Sequence, residues 1–126
     1  MKTQLAPGIG GYKSVLVTQE KTASAYGSGT VDVFATPAMI ALMEQTAMES
    51  VAALLEDGCI TVGTEVHVSH LKATGVGKQV HCRSILKLLE GKKLTFELEA
   101  WDDQGKIGSG EHTRYIVDKQ RFMSKM

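Results

Sequence analysis

Two periods of hydrophobic alternation divide the chain. From Ala38 to Glu56 apolar residues recur every three or four positions, the spacing of a helix with one buried stripe. Thr36-Pro37 precedes this run. Thr is a good N-cap because its hydroxyl accepts an orphan backbone N–H, and Pro at the first helical position gives up an N–H that would have been unpaired anyway. Asp57-Gly58 closes the run, with Gly58 free to take a left-handed conformation. The pattern predicts one helix of about five turns.

After Gly58 the period drops to two. Ile60, Val62, Thr64, Val66 and Val68 fall on one side of a strand, with Thr61, Glu65, His67 and Ser69 on the other. Beyond the Gly75-Val76-Gly77 turn, a second strand places Val80, Cys82, Ser84, Leu86 and Leu88 on one face. Glu90-Gly91-Lys92 reads as a tight hairpin into a third strand with Leu94, Phe96, Leu98 and Ala100 on its apolar face. A turn at Asp102–Gly105 leads into a last strand from about Lys106 to Val117. Before the helix, Met1–Tyr12 reads as an irregular lead-in, Ser14–Val17 and Thr22–Tyr26 as short strands, and Gly27-Ser28-Gly29 as a break.

Short turns make the strands antiparallel neighbours. The apolar face of such a sheet needs a cover, and the long helix is the candidate. The expected fold class is α+β: an antiparallel sheet wrapped around one long central helix, in one domain over residues 1–126. A single-layer sheet leaves edges to protect, so pairing with a second subunit is expected, dimer versus tetramer being left open.

Composition narrows the function classes. At 126 residues the chain has the length of one domain, and 14 Lys plus Arg balance 14 Asp plus Glu. That argues against a nucleic-acid binder held by bulk positive charge. Cys59 and Cys82 form no CxxC pair and are too few for a disulfide scaffold, which fits a reducing, cytoplasmic setting. No stretch reads as a signal peptide or reaches the roughly 18 apolar residues of a membrane span. The two cysteines and four histidines show no metal-ligand spacing, so no metal is expected.

One acid breaks the pattern. On a helical wheel Ile40, Met43, Ala47, Val51, Leu54 and Leu55 define the apolar face, and Glu44 lies in its middle. A carboxylate facing a core is costly unless paired or protonated, and desolvation would tune it toward base chemistry near neutrality. His70 shares its parity with Val62, Val66 and Val68 and should also face the helix. Thr36 reads as the N-cap from pattern alone, yet falls near enough to Glu44 on the wheel to border one cleft. Gly63 interrupts a β-branched strand, a sign of close backbone approach, and its N–H would be placed to polarise a carbonyl.

Phe34-Ala35-Thr36-Pro37-Ala38-Met39-Ile40, Met43-Glu44, Thr61-Val62-Gly63-Thr64, Val68-Ser69-His70-Leu71 and Gly108-Ser109-Gly110-Glu111-His112-Thr113-Arg114 together resemble the fluoroacetyl-CoA thioesterase-like branch of the hotdog-fold thioesterases. The resemblance covers roughly Val31 to Phe122. It implies a hotdog homodimer with acyl-CoA sites at the subunit interface, hydrolysis of the thioester to carboxylate and free CoA, and no cofactor. It implies a catalytic set of Thr36, Glu44 and His70, with Gly63 near the thioester carbonyl. Whether Thr36, Glu44 or water is the nucleophile stays open. The phenylalanines that gate the pocket in the fluoroacetyl-specialised enzyme have no counterpart in Gly27–Val33, so a small or medium acyl group is the expected substrate. A non-catalytic acyl-CoA binding module and a dehydratase or isomerase on the same fold are the alternatives. Residues that hold the CoA phosphates are not assigned, Lys72, Lys78, Arg83, Lys87 and Arg114 being unranked candidates.

Overall fold

The computed structural model describes residues 4–126. The chain runs through strand β1 (Gly10–Leu16), a 3₁₀ turn (Gln19–Lys21), a one-turn helix α1 (Ala23–Tyr26), the long helix α2 (Thr36–Ala52), strands β2 (Cys59–His70), β3 (Gln79–Glu90), β4 (Lys93–Asp102) and β5 (Gly105–Asp118), and a short helix α3 (Lys119–Ser124). The five strands form one antiparallel sheet in the order β1-β3-β4-β5-β2. Helix α2 lies against its inner face. Met39, Leu42, Met43, Ala47 and Val51 pack there on Val80, Leu86, Leu94, Phe96, Leu98 and Ala100. Each large side chain buried in this way contributes roughly 1.5–3 kcal/mol.

Four expectations change. Thr22–Tyr26 is not a strand: the Thr22 hydroxyl accepts a hydrogen bond from the Ala25 amide and Gly27 at φ +75° ends the turn, so Thr22 caps α1. The irregular lead-in ends before Tyr12, because β1 already pairs with β3 from Gly10; residues 1–3 of that lead-in lie outside the described residues. Helix α2 stops at Ala52 rather than Glu56, its N-cap is Ala35, and Thr36 is already helical. A C-terminal helix, capped by Asp118 through the Arg121 amide, carries no strong periodic signal in the sequence.

The buried stripe of α2 is also rotated. It runs through Ala38, Met39, Leu42, Met43, Thr46, Ala47 and Val51, with Ile40 only half-buried. Thr46 belongs to the core because its hydroxyl is satisfied by the Leu42 carbonyl at 2.7 Å, which a wheel drawn on apolar residues does not see. The rotation takes Glu44 from the middle of the stripe to its flank, where its side chain is 42% exposed. Its burial within one subunit is therefore corrected.

Strand β2 carries a bulge between Gly63 and Glu65, where its register against β5 shifts. One extra residue reverses the parity of everything beyond it. Thr61 and Gly63 therefore face the helix before the bulge, and Val66, Val68 and His70 face it afterwards. His70 points inward as expected, but Val62 does not share its face. At twelve residues, β2 is a long edge strand with one side unpaired.

Candidate active site

The first polar group sits where the N-terminus of α2 meets the end of β2. Thr36 needs no capping role, and its Oγ1 lies 2.8 Å from Nδ1 of His70. Phe34, buried two residues before Thr36, packs its ring against the imidazole at 78°. Nε2 of His70 is buried and has no hydrogen-bond partner among the described residues. If Thr36 donates to Nδ1, Nε2–H is a free donor; in the other tautomer Nε2 is a free acceptor. Either way, one ring nitrogen is left for a ligand or partner. A cavity of about 290 Å³ opens here, lined by Val33, Phe34, Thr36, His70, Leu71 and Lys72.

The second group gathers around Gly63. Arg114 is buried, and its guanidinium donates from Nε to Thr61 Oγ1 at 2.7 Å and from Nη2 to the Thr61 carbonyl at 2.8 Å. Its Nη1 donates to Nε2 of His112 at 3.1 Å. A guanidinium has no acceptor, so Nε2 must be the unprotonated nitrogen and His112 donates from Nδ1 to the Glu65 carbonyl at 2.8 Å. The same Nη1 lies 4.0 Å from Oε2 of Glu44. A Cβ on Gly63 would sit 2.9 Å from that Glu44 oxygen and 3.0 Å from the His112 ring. The glycine thus makes room for a carboxylate, an imidazole and a guanidinium around one backbone position.

Burial holds the pKa of His70 below the ordinary histidine value, with a smaller opposing pull from the Lys72 backbone. Burial does the same to His112, helped by the Arg114 charge and opposed by the Glu65 carbonyl and Glu44. Both imidazoles resist protonation when folded and accept it freely when unfolded, so their contribution to stability is complete above the unfolded pKa, near 6.5, and falls as pH drops through the folded values. The thermal midpoint should begin to fall below pH 6.5. A midpoint flat from pH 7 to 5 would contradict the neutral assignment of both rings.

The candidate residues therefore fall into two halves. Thr36 meets His70, and Glu44 meets Gly63, but one chain holds the halves apart. Eight helical residues separate Thr36 from Glu44, about 12 Å of rise. Seven extended residues separate Gly63 from His70, about 23 Å. Sequence reasoning missed His112 as an individual residue and placed Arg114 among the candidate phosphate cations; burial removes Arg114 from that list. The signal was present in β5, where Gly108, Gly110, His112 and Arg114 share the inward face opposite Leu94, Phe96, Leu98 and Ala100. The other sequence-proposed phosphate cations are engaged: Lys72 with Asp102, Lys78 with Asp103, Arg83 with Glu99, and Lys87 with Glu97 and Glu111. Among the described residues no three His, Cys, Asp or Glu side chains are grouped to hold a metal, and no helix is long and apolar enough to cross a membrane.

The family model described as fluoroacetyl-CoA-specific thioesterase matches residues 17–120. The chain is 36% identical over 95 residues to the fluoroacetyl-CoA thioesterase of Streptantibioticus cattleyicolor, covering 75% of this chain and 68% of that protein. A solved structure of a fluoroacetyl-CoA thioesterase superposes with a TM-score of 0.91 at 30% identity, covering 98% of this chain and 96% of the other. A hot-dog-like protein from Thermanaerovibrio acidaminovorans shares the fold, with a TM-score of 0.87 at 21% identity over 94% of this chain and 88% of that one.

Proposed function

The chain belongs to the fluoroacetyl-CoA-specific thioesterase family, whose members hydrolyse acyl-CoA thioesters, and on that premise we propose that it cleaves a small or medium acyl-CoA to carboxylate and free CoA with Thr36, Glu44 and His70 as its catalytic set. The observation that carries the site is the pairing of each half with complementary chemistry: a carboxylate beside a buried guanidinium at Gly63, and a hydroxyl hydrogen-bonded to a neutral imidazole with one free nitrogen.

In this reading Glu44, with the Arg114 guanidinium 4.0 Å away, takes a proton from water as the water oxygen attacks the thioester carbonyl. Gly63 leaves the carbonyl room to approach the backbone. With Thr36 donating to Nδ1, the Nε2–H of His70 hydrogen-bonds to the charge that develops as the carbonyl carbon becomes tetrahedral. The intermediate collapses with cleavage of the C–S bond, and the thiolate takes the proton that Glu44 removed from water. The reaction consumes only water and draws on no metal or redox cofactor.

The distances within one subunit support a homodimer. Glu44 of one subunit meets Thr36 and His70 only if a second copy brings its own end of β2 alongside, and the unpaired edge of β2 is suited to pair with itself about a two-fold axis. We place the reaction in the cytoplasm, where the free thiols of Cys59 and Cys82 stay reduced.

Free-thiol release from a panel of acyl-CoAs, fluoroacetyl-CoA included, tests the activity. Turnover with a small or medium acyl group supports the assignment. CoA binding without release from any substrate would point to a binding module, and alkene formation or hydration with CoA retained would point to a dehydratase or isomerase.

A further inference from the structure

Where α2 ends, a cavity of about 490 Å³ opens between the helix end, the start of β2 and the end of β5. Leu54, Leu55 and Ile116 form its apolar wall, and Lys92 and Arg121 stand on its rim. A neighbouring cavity of about 220 Å³ shares Lys92 and Arg121 and adds Lys125. All three cations are exposed. Elsewhere Lys13, Lys72, Lys78, Arg83, Lys87 and Lys106 each have a carboxylate within 4.0 Å, while Lys21, Lys93 and Lys119 have none among the described residues. Among the described residues Lys92, Arg121 and Lys125 have none. Of the acids lining the cavity, Asp118 caps α3 through the Arg121 amide at 2.9 Å, and Glu56 is exposed.

The cavity lies within reach of Glu44 and Gly63. Cys59, which lines it, is four residues along β2 from Gly63, about 13 Å of extended chain. The pantetheine arm of CoA holds about as many backbone atoms between sulfur and pyrophosphate as four residues, roughly 14 Å when extended. A phosphorylated nucleotide offers what this cavity asks for: a flat base for the leucine and isoleucine wall, and phosphates for three unpaired cations, of which Arg121 can grip two oxygens at once.

We infer that this cavity seats the nucleotide end of the CoA substrate, its adenine on Leu55 and Ile116 and its phosphates on Lys92, Arg121 and Lys125, while the thioester lies at Glu44 and Gly63 of the same subunit. The assignment rests on the thioesterase reading, and the test separates the two. The variant Lys92→Ala/Arg121→Ala/Lys125→Ala, with folding checked by circular dichroism, is assayed on an acyl-CoA and on the same acyl group carried by N-acetylcysteamine, which has no phosphate. The ratio of kcat/KM on the CoA ester to kcat/KM on the short ester should fall about tenfold or more, through KM, since each charged hydrogen bond lost is worth at least that factor. An unchanged ratio would overturn the site. Calorimetric titration with adenosine 3′,5′-bisphosphate reads the cavity without turnover. Binding that is lost in the variant supports the site even if no thioester is hydrolysed and the thioesterase reading fails. Absent or equal binding in both proteins overturns it.

Discussion

Glu44→Gln should lower thioester hydrolysis by about a hundred- to ten-thousand-fold while leaving the protein folded. The amide is nearly isosteric with the carboxylate, so the packing around Gly63 stays as it is, but it cannot take a proton from water. The stability change should be small, within about 1 kcal/mol, because the side chain is 42% exposed and its contact with Arg114 is 4.0 Å long. Arg114 keeps its hydrogen bonds to Thr61 and His112 in the variant, so the buried guanidinium is not orphaned. Thiol release and thermal melting on the same preparation read both halves of the expectation. Full activity in a folded variant would remove Glu44 from the reaction. A large loss of melting temperature alongside the lost activity would make the residue structural.

Much of the fold was legible because two periods rarely deceive over long runs. The alternation of Leu94, Phe96, Leu98 and Ala100 places a whole strand, and all four are buried. The failures have local causes. The bulge at Gly63–Glu65 adds one residue without altering composition, so the parity that rightly turned His70 inward wrongly turned Val62 with it. Thr46 hid the true orientation of α2, because a hydroxyl satisfied by its own helix behaves as core. Glu44 was singled out for a burial that one subunit does not provide; its significance lies in its neighbours, Arg114 and His112, which arrive from a strand some 70 residues later. No periodicity argument joins positions that far apart. Thr36 shows the reverse error: the cap role natural to its position goes unused, and its hydroxyl goes to His70.

Subunit mixing tests the proposal that the two halves of the site come from two subunits. Glu44→Gln and His70→Ala should each be nearly inactive alone. When the two are unfolded, mixed in equal amounts and refolded together, half of the dimers are hybrids. Each hybrid holds one site in which Glu44 of one subunit faces Thr36 and His70 of the other, all intact, so thiol release should recover to about a quarter of the wild-type rate. Activity that stays at the mean of the two parents, with hybrid dimers verified by mass spectrometry, would place the whole catalytic set within one chain and contradict the account.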